Sequence, residues 1–384
     1  MRGFTRRSMV KRGVAGAAAL GLSGGAEVAQ AHGGQRWHTR RPIVIGHRGS
    51  PAYRPEHTAG SYLLAIEMGA DYIEPDLVFT KDGELVVRHE PDITGTTDVA
   101  ARPEFASRKR TMTIDGTTTT GWFTFDFTLA ELKTLRAIER LPDVRPHNTA
   151  LNGIWEVPTF QEVIDIAKAH DVGIYPETKH PTFFASLGFV HDRPMLDTLR
   201  RNGLDRPGAK VFVQSFEVSN LQRLNRQTRL PLIQLIDSRG APADFVAAGD
   251  PRTYDDLVTP AGLRQIAGYA DGIGPDRSRI VRNDLAGTDL GAPTTLVRDA
   301  HRVGLLVHPF TFRPENSFLA NDFRVGNPTS PEFPRARGDE PAQFELYYRL
   351  GVDGLFADNA DTAVAVRDRL FSLAGSADDR RRHA

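Results

Sequence analysis

The chain has 384 residues, 40% hydrophobic and 25% charged, which is ordinary globular composition and excludes a disordered or fibrous chain. Its 48 basic and 48 acidic residues balance, so no cationic field marks nucleic acid or an anionic membrane as the main partner. Cysteine is absent, which excludes disulfides, thiolate metal sites and a cysteine nucleophile.

Residues 1–31 read as an export signal. Arg6-Arg7-Ser8-Met9-Val10-Lys11-Arg12 precedes a short run of small apolar residues from Val14 to Leu22, and Ala29-Gln30-Ala31 supplies the small-x-small pattern of a signal-peptidase site. The paired arginines resemble a twin-arginine signal. The apolar run is too short to span a bilayer and no other stretch is long and apolar enough. The mature chain is therefore expected to be exported, to the cell envelope or beyond, without a stable membrane anchor. Residues 32–41 form a polar linker.

From residue 42 to about 372, short apolar runs alternate with amphipathic ones, and 373–384 is a polar tail. Strands are predicted at Ile43–Gly46, Tyr72–Phe79, Gly173–Glu177, Val211–Phe216, Leu232–Ile236, Ala270–Gly274, Gly304–His308 and Val352–Ala357. Helical patterns lie between most of them. Phe160, Val163, Ile164 and Ala167 recur at i, i+3, i+4 and i+7 behind a Thr159-x-x-Glu162 capping box. Thr128-x-x-Glu131 opens another pattern, with Leu129, Leu132 and Leu135 on one face. Eight strands alternating with helices predict an α/β fold of the (β/α)8 TIM-barrel type. No Gly-x-Gly-x-x-Gly follows the first strand, which argues against dinucleotide binding. Two segments break the alternation. Residues 92–127 are threonine-rich, follow a short extra strand at Glu84–Arg88, and read as an insertion or small subdomain. Residues 313–343, rich in Pro, Arg and Asn, read as a long irregular loop.

The chemistry-bearing residues sit where strands end, the end that barrel enzymes use. Gly46-His47-Arg48-Gly49 presents an imidazole and a guanidinium side by side, and a guanidinium fork suits phosphate oxygens. In Glu74-Pro75-Asp76 the two carboxylates, at i and i+2 of a strand, share a face. Glu177 and Lys179 share a face in the same way. Like charges converging inside a barrel repel and lose hydration, and a shared hard divalent cation would offset both costs. An ion-pair network among Glu74, Asp76, Glu177, Arg48 and Lys179 is the other reading. His89 ends the strand after Glu84, and two histidines can serve as acid and base for phosphodiester cleavage near neutral pH.

Gly46-His47-Arg48-Gly49, Arg54-Pro55-Glu56-His57-Thr58, the run Gly69 to Asp82, and Leu85-Val86-Val87-Arg88-His89 together resemble the glycerophosphodiester phosphodiesterase family, most closely its long periplasmic form. The likeness continues through Gly173 to Lys179, Gln214-Ser215-Phe216-Glu217, Tyr269 to Asp276, Val307 to Arg313 and Gly351 to Asp358, in order, over residues 42 to about 366. The resemblance implies that His47 and His89 are the catalytic pair. Glu74, Asp76 and Glu177 would be the metal carboxylates, with Ca2+ typical of the long form and Mg2+ the other hard ion to consider. Arg48 and Lys179 would bind phosphate, and Glu56 and Gln214 match further active-site positions. It also implies a small insertion after the second barrel strand, about residues 82–127. The expected reaction releases an alcohol from a small glycerophosphodiester through attack by the neighbouring glycerol hydroxyl, and water then opens the cyclic glycerol phosphate, with the histidine roles exchanged, to sn-glycerol 3-phosphate. Two alternatives are a lipid phosphodiesterase on the same barrel and a non-catalytic surface protein that binds phosphodiesters.

Overall fold

Ile43–Gly46 lies between Tyr72–Ile73 and Gly354–Ala357, parallel to both, in the computed structural model, which describes residues 41–283 and 289–382. The export signal and all but the last linker residue lie outside the described residues. The parallel pairing continues from Tyr72–Ile73 to Gly173–Ile174 and from Asp76–Phe79 to Glu177–Thr178. It passes on through Val213–Ser215, Leu232–Ile236, Gly272–Pro275 and Leu306–Val307. Backbone bonds from Asp353 N to Val307 O (2.9 Å) and Phe356 N to Pro309 O (3.1 Å) close the ring onto Gly354–Ala357. The result is the eight-stranded parallel barrel that the alternation predicts. In order, the outer helices are Ala59–Glu67, Phe160–Ala169, Asp192–Arg201, Val218–Asn225, Pro260–Ile266, Leu296–Arg302, Glu340–Arg349 and Ala360–Arg382. The last of these carries the backbone through most of the predicted polar tail.

The second and third strands are each split, at Glu74-Pro75 and at Tyr175-Pro176, where the predicted strands run unbroken. Proline has no N–H for the ladder, so regular pairing lapses there. Its carbonyl still accepts: Pro75 O from Glu177 N and Pro176 O from Gln214 N, both at 3.0 Å. The barrel therefore stays closed while the residues beside each proline are freed to turn inward.

Two apolar cores hold the layers. Inside the barrel, Ile45, Tyr175, Phe212, Ile233, Leu306 and Phe356 pack under the carboxyl ends of the strands. Tyr175 stacks on Phe212 at 5.0 Å and meets Phe356 edge-on at 5.0 Å, giving a rigid floor. Between strands and helices runs the larger core. The helix Phe160–Ala169 shows how the sequence builds it. Its capping box forms, with Thr159 accepting from Glu162 N and Glu162 accepting from Thr159 N, and Phe160, Val163, Ile164 and Ala167 are its buried residues. Each large apolar side chain so buried contributes about 1.5–3 kcal/mol.

Between Phe79 and Phe160 the chain leaves the barrel. Leu85–Val87 pairs antiparallel with Asp76–Phe79, and Arg110–Ile114 pairs with Thr117–Gly121 in a separate hairpin. The Asp115-Gly116 turn of that hairpin has φ of 46° and 80°, the two-residue type that matches strand twist. The capping box at Thr128 and Glu131 opens only a single turn, Leu129–Leu132, so the excursion extends well past residue 127. The segment after Arg313 is irregular apart from short 3-10 turns, as expected, and ends where Asp339 caps the helix beginning at Glu340.

Candidate active site

Loops at the carboxyl ends of the strands enclose a cleft of about 570 Å³. His47, Arg48, Glu74, His89, Glu177, Lys179 and Gln214 all line it. The split second and third strands place the acids at its base. One ligand oxygen each from Glu74, Asp76 and Glu177 lies within 4.8 Å of the other two, and all three residues are buried.

The electrostatics of this trio depend on its neighbours. Burial, with Asp76 and Glu177 close by, pushes Glu74 well above the usual carboxylate range. Burial likewise raises Glu177 to about 8, against the pull of Lys179. Burial would raise Asp76 too, but His57, His89 and Lys179 hold it well below its ordinary value. Asp76 Oδ1 and Gln214 Oε1 are buried and have no hydrogen-bond partner among the described residues. Orphaned oxygens beside two reluctant carboxylates fit a hard divalent cation, which takes oxygen ligands and favours the ionised form of each. The residues present therefore suit such an ion.

Two cations face these acids, and a third lines the cleft beside Asp358. Arg48, in the left-handed region at φ 55°, donates its backbone N–H to Glu74 (2.9 Å) and Nη1 to both oxygens of Glu56 (3.1 Å each). Gly49 follows at φ 92°, where an added Cβ would lie 2.5 Å from Ser61 Oγ, so only glycine fits this turn. Glu56 stands behind Arg48, where it also accepts from Arg140 Nε at 2.8 Å, and is not among the cleft-lining residues. Lys179 Nζ sits 3.1 Å from Glu177 and 3.2 Å from His89 Nε2. The third cation is Arg313, which stacks on Phe318 at 4.7 Å and lines the cleft.

The two imidazoles are each fixed through Nδ1. His47 Nδ1 is 2.6 Å from Asp358 Oδ1, and His89 Nδ1 is 2.8 Å from Glu90 Oε1. A carboxylate only accepts, so both rings carry their proton on Nδ1; His47 keeps Nε2 for a reacting group, whereas His89 Nε2 accepts from Lys179 Nζ until substrate draws that cation away. Burial and the Arg48 charge bring His47 down to about 4, against the opposing pull of Asp358. Burial with Arg48 and Lys179 brings His89 down to about 3. Both rings are therefore neutral in the ligand-free cleft.

Four participants were not singled out from sequence. Asp358, at the end of the eighth strand, orients His47 and accepts from Arg145 Nη2 at 2.6 Å. His57 is fully buried, with Nε2 2.8 Å from Asp76 Oδ2 and Nδ1 2.7 Å from the Tyr62 hydroxyl, which leaves Asp76 Oδ1 directed elsewhere. Arg313 and Glu90 complete the set. Asp358, His57 and Arg313 lie inside the quoted motifs, but only strand pairing reveals what they touch. No helix among the described residues is long and apolar enough to cross a membrane.

The family model described as the glycerophosphoryl diester phosphodiesterase family matches residues 47–362. A glycerophosphodiester phosphodiesterase of Arabidopsis thaliana is 37% identical over 335 residues, covering 83% of this chain and 84% of the relative. One from Haemophilus influenzae is 30% identical over 351 residues, covering 84% and 88%. Among solved structures, a phosphodiesterase from Oleispira antarctica in complex with the product sn-glycerol-3-phosphate superposes with a TM-score of 0.55 at 18% identity. It covers 85% of this chain and 97% of that one, a likeness of fold.

Proposed function

The chain belongs to the glycerophosphodiester phosphodiesterase family, and on that premise we propose that it hydrolyses glycerophosphodiesters to sn-glycerol 3-phosphate and an alcohol, with His47 and His89 as the acid–base pair. One observation carries this reading: both imidazoles line the same cleft as Glu74 and Glu177, between the Arg48 and Lys179 cations.

The reaction needs one proton taken from the attacking hydroxyl and one delivered to the departing alkoxide. Nε2 of one imidazole takes the first, and Nε2 of the other gives the second; water then opens the cyclic glycerol phosphate so formed, with the two imidazoles exchanging roles, to give sn-glycerol 3-phosphate. The incoming diester brings negative charge that offsets Arg48 and Lys179, two of the influences that hold the rings neutral. This makes protonation of the acid partner easier once substrate is present. Arg48 and Lys179 hold the non-bridging oxygens while negative charge builds on them, with Arg313 at the rim. A divalent ion in the acidic trio, Ca2+ by likeness to the long periplasmic form or Mg2+, would supply Lewis-acid stabilisation of the phosphate and lower the pKa of a neighbouring hydroxyl.

The test is phosphorus NMR of products from a panel of soluble glycerophosphodiesters and micellar lipids. His47→Ala and His89→Ala are each expected to lower kcat by about 10²–10⁴-fold while the fold persists. Turnover within tenfold of wild type would remove that residue from the mechanism. We also propose export, from the signal read in residues 1–31, and assign residues 82–127, the first part of the excursion between Phe79 and Phe160, to the insertion of the long form. Activity confined to the cytoplasmic fraction would count against export.

A further inference from the structure

His180 follows Lys179 at the end of the third strand and takes a left-handed conformation, φ 49° and ψ 49°, unusual for a side chain of its size. That turn aims its ring between two carboxylates. Nδ1 lies 2.6 Å from Asp115 Oδ2, at the hairpin tip, and Nε2 lies 3.0 Å from Glu90 Oε2. The other oxygen of Glu90 holds His89 Nδ1 at 2.8 Å. All four residues line the substrate cleft.

Carboxylates cannot donate, so a ring flanked by two of them carries both protons and a positive charge. Burial opposes that charge, yet the bonds to Asp115 and Glu90 outweigh it and raise His180 to about 9, against repulsion from Lys179. The wiring matches that of the other histidine. His47 Nδ1 meets Asp358, Asp358 meets Arg145, and Arg145 donates to Glu315 at 2.7 and 3.1 Å. On each side an imidazole is set by a carboxylate, the carboxylate by a cation, and the cation by a second carboxylate from a segment outside the barrel.

We propose that His180 is a positioning residue for the reaction: it fixes Glu90, and through it the orientation of His89, while its bond to Asp115 secures the hairpin tip as a wall of the cleft. The proposal rests on the reading of His89 as one of the acid–base pair. With His180 removed, Glu90 loses its anchor, its half-exposed carboxylate swings to solvent, and the His89 ring loses the Nδ1 bond that sets its orientation, held only by the Lys179 contact at Nε2. The loss therefore falls on kcat, because the displaced group acts in the chemical step, while KM for a small diester changes little.

The experiment compares wild type with His180→Ala, Glu90→Ala and the double variant, by steady-state kinetics and by nitrogen-15 NMR of the His89 ring. Each single variant is expected to lose about tenfold to hundredfold in kcat, as befits one charge-assisted bond. The double variant should be no worse than about threefold below the poorer single, because both act through one path. The His89 Nδ1 resonance should shift as its bond to Glu90 is lost, while Nε2 still accepts from Lys179. Losses that multiply, a kcat for His180→Ala within threefold of wild type, or an unmoved His89 spectrum would each overturn the role. Should His180→Ala fail to fold, His180→Gln removes the charge, retains one donor, and is judged by the same criteria. His89→Ala separates the two levels. If it turns over normally, the acid–base reading falls. If it is inactive while the His89 spectrum ignores His180, only the positioning role falls.

Discussion

Replacing Asp358 with asparagine isolates what holds His47. In the structure Oδ1 of Asp358 accepts from His47 Nδ1 at 2.6 Å, while Oδ2 accepts from Arg145 Nη2 at 2.6 Å and lies 3.4 Å from Arg313 Nε. Asparagine has one oxygen to share between these partners. Arg145 is about 1% exposed, and a guanidinium so deeply buried costs more to leave facing an NH2 group than an imidazole does. The amide oxygen therefore turns to Arg145 and the NH2 to His47. Nδ1 must then accept, so the proton moves to Nε2, the atom needed for chemistry. Loss of one charge-assisted bond alone, about 1.5–3 kcal/mol, amounts to roughly 10–150-fold in rate. A tautomer held in the wrong form raises the penalty toward about 10⁴-fold, the scale seen when the analogous aspartate of a serine protease is so changed. Asp358→Asn is thus expected to lower kcat by about 10²–10⁴-fold, with folding retained because Arg145 keeps both bonds to Glu315. Asp358 also raises the His47 ionisation, so its loss moves that limb of the pH–rate profile to lower pH, and the limb that moves identifies His47 as acid or base. A kcat within tenfold of wild type, with nitrogen-15 NMR still finding the proton on Nδ1, would refute the reasoning.

Two further outcomes follow from the acidic trio. With burial pushing Glu74 well above its usual range and Glu177 up to about 8, protons compete with a divalent ion for these carboxylates. Affinity for Ca2+ or Mg2+ should therefore strengthen as pH rises toward about 8, with proton release measurable by calorimetry in buffers of different ionisation enthalpy; pH-independent binding without proton release would contradict this. His57→Gln should weaken the ion by about 10–100-fold, because Asp76 loses the buried partner that fixes its orientation. An unchanged calorimetric affinity would show that Asp76 holds its position alone.

The barrel was legible because its strands alternate with helices whose apolar faces repeat at helical spacing. The predicted bounds of Ile43–Gly46 and Leu232–Ile236 match the structure. The strand breaks were harder to read: Pro75 and Pro176 sit in otherwise strand-like sequence, and only the ladder shows which N–H is missing. The hairpin at Arg110–Gly121 escaped because its outer face is threonine, with Thr111 against Thr120 and Thr113 against Thr118, so no apolar alternation marks it. Asp115-Gly116 was the available signal. In the site, strand periodicity brought Glu74 toward Asp76, and the motifs named His47 and His89. Asp358 and Glu90 stayed out of view because their roles come from contacts, and Asp358 is 311 residues from the ring it holds.

The barrel and its excursions divide the work. Strand ends supply the groups that meet substrate, whereas Arg140, Arg145, Asp115 and Glu315, which brace those groups, come from the segment after the second strand and the loop after the seventh. The two braces differ in burial. The side chains of Asp358 and Arg145 are 2% and 1% exposed, whereas that of Glu90 is 48% exposed. Ions in solution screen exposed pairs and barely reach buried ones. His47 is therefore locked by a low-dielectric network that survives salt and substrate exchange. His89 is held by a brace that water can enter, on the side where the hairpin tip forms a wall of the cleft. Of the two imidazole braces, the one at His89 is therefore the more open to readjustment and the one at His47 the more rigid.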